Sequence, residues 1–93
     1  MSVNQQGRWY VWYRLLMESE GVQLCVDQGF LAALSTSYEA RRIAVDWTNT
    51  RATGRVTSTA LPNGDSYWYA PKGDGFELRV GCGWRETAEE VPV

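Results

Sequence analysis

The chain contains no histidine. That removes the residue most used as a general base near neutral pH, the usual activator of a nucleophilic Ser or Cys, and the commonest metal ligand. Cysteine is scarce as well. Cys25 and Cys82 stand far apart with no Cys-x-x-Cys spacing, so a zinc site has neither its thiol pair nor its imidazole. There is a single lysine, Lys72, against eight arginines. Long apolar runs are missing too: the densest stretch, Trp9 to Met17, is interrupted by Arg14 and is too short to span a bilayer. Residues 1–7 are polar and lack the apolar core of a secretory signal. The expected location is therefore the cytoplasm, where both thiols stay reduced.

What is present is aromatic. Five Trp, five Tyr and two Phe make up 13% of 93 residues. Each large ring brings roughly 150–250 Å² of surface to bury, so one small domain over residues 1–93 can build a core without staples. The formal net charge is −2 and the pI is near 5.0, which opposes a sequence-independent grip on nucleic acid.

Residues 9–17, Trp-Tyr-Val-Trp-Tyr-Arg-Leu-Leu-Met, carry the rings and branched chains of a strand. Alternation places Trp9, Val11, Tyr13, Leu15 and Met17 on one face. Tyr10, Trp12, Arg14 and Leu16 fall on the other. A strand apolar on both faces is covered on both or offers one to a partner. Glu18 to Gly21 reads as a hairpin connection. Val22, Leu24 and Val26 alternate with polar neighbours as a second strand. Asp27-Gln28-Gly29 reads as a turn, and Phe30 to Leu34 as a third short strand or the approach to a helix.

Thr36-Ser37-Tyr38-Glu39 has the form of a capping box. Ala40, Ile43, Ala44 and Trp47 follow at helical spacing, which predicts a helix over 37–53 with Gly54 as its stop. The remainder reads as a meander: a strand over 55–61, Asn63-Gly64 as a hairpin signal, a short aromatic strand over 67–69 ending at Pro71, a tight turn at 72–75, and a strand over 76–84. In that last strand Phe76, Leu78, Val80, Cys82 and Trp84 share the apolar face. Residues 86–93 read as a loose acidic tail. The order β-β-(β)-α-β-β-β predicts an α+β two-layer sandwich, an antiparallel sheet of about five to six strands with one helix on one face.

Sites for chemistry find little support. Cys82 lies between glycines but falls on the apolar face of its strand, as a small core hydrophobe does. Asp27, Asp65 and Asp74 stand in predicted turns, where Asp bonds locally. No two carboxylates are fixed on neighbouring rigid elements, as a catalytic pair requires. Lys72-Gly73-Asp74-Gly75 lacks the phosphate-loop pattern and leads into a strand rather than a helix. No catalytic, metal or cofactor residue is assigned, and no enzyme activity is expected.

The rings outnumber what one core face can hold, so a second face carrying Trp, Tyr and Arg is the natural interface. The expected interface residues are Tyr10, Trp12, Arg14, Tyr67, Tyr69 and Arg79. The expected function is a non-enzymatic protein-binding module, a small inhibitor acting on a bacterial effector complex. In size and composition it is similar to phage anti-defence inhibitors, anti-CRISPR proteins among them, and to immunity proteins. The alternatives are a self-associating structural or phage assembly subunit, with a homodimer at the two-faced strand, and a single-stranded nucleic-acid or small-ligand binder using rings as stacking platforms.

Overall fold

The computed structural model describes residues 7–93, so the expected loose start at 1–7 lies, Gly7 apart, outside the described residues. The elements are β1 (Arg8–Ser19), β2 (Val22–Leu34), α1 (Ser37–Arg51), β3 (Thr57–Ala60), β4 (Ser66–Gly73), β5 (Phe76–Arg85) and a single 3-10 turn at Ala88–Glu90. One five-stranded antiparallel sheet has the order β2-β1-β5-β4-β3. Helix α1 packs on one face, giving the α+β two-layer arrangement expected.

Two tight turns set the register. Glu20 and Gly21 join β1 to β2, and Asp74 and Gly75 join β4 to β5, all four at positive φ. Two-residue loops of that kind twist with their strands. Between β1 and β2 the pairing shifts twice, between Val11 and Trp12 and between Leu15 and Leu16. These two bulges carry the strand through Asp27-Gln28-Gly29. The expected turn there does not form, and the expected third strand over 30–34 is the continuation of β2. Each bulge adds an unpaired residue and bends the strand without ending it.

Helix α1 opens as its sequence dictates. The Thr36 hydroxyl accepts from the Glu39 backbone N–H at 3.2 Å and donates to the Glu39 carboxylate at 3.2 Å, occupying an otherwise orphaned first-turn amide. The helix ends at Arg51, short of the expected 53. Its cap, Ala52, is extended, and Gly54 is not in the left-handed region. What stops the helix is the neighbouring strand: the Thr53 N–H donates to the Pro71 carbonyl at 2.9 Å. Strand β4 runs on through Pro71 to Gly73, because a register shift between Pro71 and Gly73 absorbs the missing donor. Strand β3 is confined to residues 57–60 of the expected 55–61.

The main core lies between helix and sheet. Ala40 and Ala44 of α1 pack on Val11, Trp68, Leu78, Val80 and Cys82. Small residues on the helix let it approach the large rings of the sheet. Tyr13 and Trp47 pack with tilted rings, 4.9 Å between centroids. Trp84 shares this face by register but is 48% exposed. A second, smaller cluster lies on the opposite face: Tyr10, Trp12 and Val91, with Tyr67 against them. Residues 86–93 are therefore not a loose tail. The 3-10 turn brings Val91 onto the sheet, and burial of one valine contributes about 1.5–3 kcal/mol. Among the described residues no helix is long and apolar enough to cross a membrane.

Candidate functional site: an arginine–tyrosine cleft

The face away from the helix is built by alternation on three adjacent strands. Strand β1 contributes Tyr10, Trp12 and Arg14, β4 contributes Tyr67 and Tyr69, and β5 contributes Glu77, Arg79, Gly81, Gly83 and Arg85. The two glycines of Gly81-Cys82-Gly83 matter here for the side chains they lack. Trp12 pairs with Gly81, and a Cβ on Gly81 would stand 2.5 Å from the indole. Trp12 therefore lies flat over the strand backbone and is only 1% exposed. Gly83 leaves its space to the Asp65 carboxylate.

Asp65 is 3% exposed and is held by Arg85 in a two-pronged ion pair, 2.8 Å from Nη1 and 2.6 Å from Nη2. Arg85 also donates from Nε to the Glu90 carbonyl at 3.2 Å, and its guanidinium lies 5.3 Å from the Trp12 ring centroid. The bond to Asp65 holds the Arg85 pKa above its ordinary value. One side chain thus ties the 61–65 loop, the C-terminal segment and the central indole together.

From Trp12 the rings continue as a row. Trp12 meets Tyr67 edge-on at 5.9 Å, Tyr67 stacks with Tyr69 at 6.2 Å, and the Arg79 guanidinium lies 5.1 Å from the Tyr69 centroid. Trp12, Arg14, Leu61, Tyr67, Tyr69, Arg79 and Pro92 enclose a cleft of about 210 Å³.

The electrostatics of this cleft are uneven. Arg14 and Arg79 face each other across β1 and β5, with Cβ atoms about 5 Å apart, where like charges oppose folding. Arg14 donates from Nη2 to the Pro92 carbonyl at 2.9 Å, a neutral acceptor. Arg79 has Glu77 at 3.7 Å, an ion-pair distance too long for a hydrogen bond. Among the described residues the Nε atoms of both arginines are buried and lack a partner. Tyr67 titrates above its ordinary value, first because burial disfavours the phenolate and then because of the Asp65 charge. The Trp12 indole and Arg85 oppose that rise.

Of the expected interface residues, the cleft brings together Trp12, Arg14, Tyr67, Tyr69 and Arg79. Tyr10 does not line it. Tyr10 is 7% exposed and packs against Phe30, the two rings tilted with centroids 5.4 Å apart. Trp12 forms the floor with almost no free surface. Both rings were expected as exposed contacts and are corrected to supports, because Val91 covers them. Sequence reasoning missed Asp65, Arg85, Leu61 and Pro92. The available signal was the alternation Arg79, Gly81, Gly83, Arg85, which marks a face where neighbouring side chains cross the strand.

Cys82 falls as alternation placed it. Cys82 is buried and Cys25 exposed, both free, and burial pushes the Cys82 thiol up. Comparison with family models, with curated proteins and with solved structures finds no match.

Proposed function

We propose that this protein is a non-enzymatic binding module that engages a protein partner through the arginine–tyrosine cleft and acts by occupying that partner's surface. The observation that carries the proposal is the pairing of Arg14 with Arg79 in a cleft walled by Tyr67 and Tyr69. Arg and Tyr are residues that dominate binding energy at interfaces. Their guanidinium N–H groups are only partly used within the chain. A small domain of this kind suits inhibition by occlusion, with a bacterial effector complex as the target class.

Affinity capture from a bacterial lysate tests the proposal, with mass spectrometry of the bound material. Tyr69→Ala and Arg79→Gln are the right controls, since both side chains stand at the cleft and neither is in the buried clusters. The expected outcome is one stoichiometric partner that both folded variants lose. A partner kept by both variants rejects the cleft.

One observation favours a second reading, self-association. Among the described residues strand β2 is a free sheet edge and exposes Val22, Leu24, Val26 and Phe30. Exposed apolar edges pair with other strands. Light scattering that gives a dimer, lost in Leu24→Lys, would favour it.

A further inference from the structure

We infer that the cleft between Arg14 and Arg79 is a carboxylate-binding site, and that it takes an Asp or Glu side chain from an acidic segment of the partner. This rests on the binding-module proposal above and names the chemistry of the group recognised.

Three observations carry it. First, Arg14 and Arg79 are cross-strand partners on adjacent strands, and like charges at such a pair oppose folding unless an anion offsets them. Among the described residues Arg14 makes no ion pair, and Arg79 makes one, to Glu77 at 3.7 Å. Glu77 is itself engaged by the Gln23 amide at 3.1 Å. The cleft therefore keeps an excess of positive charge in a chain of net charge −2. Second, both guanidiniums have unused donors: among the described residues, Nε of Arg14 and Nε of Arg79 are buried without partners. Nε and one Nη form the edge of a guanidinium that fits a carboxylate two-pronged. Third, the walls suit the rest of an acidic side chain. Leu61 and Pro92 offer apolar surface to its methylenes, and Tyr67 and Tyr69 stand beside the charge.

The observations favour a protein carboxylate over nucleic acid. A polyanion feels the net negative charge over about 10 Å of solvent and needs a track of cations. A single carboxylate needs only the local pair.

The test uses the full chain, labelled with nitrogen-15, and reads the Nε–Hε resonances of Arg14 and Arg79 by NMR. The probes are an N-acetylated, C-amidated tetraglutamate peptide, inorganic phosphate and adenosine monophosphate. The expected result is that the peptide shifts both Nε–Hε resonances with a Kd of about 1 mM. Arg79→Gln, with its amide spectrum otherwise retained, should weaken binding roughly tenfold, the loss of one charged contact. No shift with the peptide overturns the inference whatever the variant does. So does a stronger response to phosphate or adenosine monophosphate, or a peptide response confined to residues outside the cleft. The two proposals fail separately. Loss of the captured partner in the variants without a peptide response overturns the carboxylate assignment alone. A peptide response with partner capture unaffected by the variants supports the carboxylate site but rejects the cleft as the partner's interface.

Discussion

Trp12 covers Gly81, and Arg85 covers Trp12, so one indole is held between a bare backbone and a guanidinium. A single methyl at residue 81 has no room. Gly81→Ala is expected to displace the indole and to destabilise the fold by about 1–3 kcal/mol. Chemical denaturation followed by tryptophan fluorescence measures it, and an unchanged midpoint would mean the ring does not rest on the strand. The part of this site that alternation governs was legible: which side Arg14, Tyr67, Tyr69 and Arg79 take, and which thiol is buried. The pairing of Asp65 with Arg85 was not. The two residues lie twenty positions apart, and Asp65 stands in a loop where Asp ordinarily serves the turn. Only the β4–β5 register brings them together.

At the scale of elements, the C-terminal segment changes the account most. Its sequence, Glu-Thr-Ala-Glu-Glu-Val-Pro-Val, is acidic and lacks apolar periodicity, and nothing in it announces that Val91 docks. Docking depends on two contacts from elsewhere, Arg85 to the Glu90 carbonyl and Arg14 to the Pro92 carbonyl. A valine buried against Tyr10 and Trp12 is worth on the order of 2 kcal/mol. Val91→Asp is expected to lift the segment, lower stability by at least that amount, and raise hydrogen exchange in β1 near Tyr10 more than in α1. Equal exchange in both would show that the segment does not seal that face. The continuity of β2 was hidden for a related reason. Asp27-Gln28-Gly29 has turn chemistry, but Tyr13 donates its hydroxyl to Asp27 across the strands at 3.0 Å. Tertiary pairing overrides the local preference.

For the whole molecule, two tyrosines contribute to the loss of stability at alkaline pH. Tyr67, through burial, and Tyr13, through its bond to Asp27, both titrate above their ordinary value of 10.0. In the unfolded chain they lose their protons near pH 10, so the folded state holds more protons there. Their contribution to stability is complete below about pH 10 and disappears as pH rises through the raised folded values. Tyr67→Phe, which cannot ionise, is expected to flatten the fall in thermal midpoint between about pH 10 and 11. An identical slope in variant and parent would contradict the burial assigned to that phenol.

The two edges of the sheet are unlike. Strand β2 is long, apolar and twice bulged, whereas β3 is short and made of Thr, Ser and Ala. Extension of the sheet from one copy to the next, head to tail, would have to join these mismatched edges. An edge can match itself only about a two-fold axis, and such a contact uses up the surface that makes it. The bulges further deny a flat template for a third strand. Any two-fold pairing through β2 therefore uses up that edge at two copies, and further growth would have to start from the short Thr-Ser-Thr-Ala edge of β3.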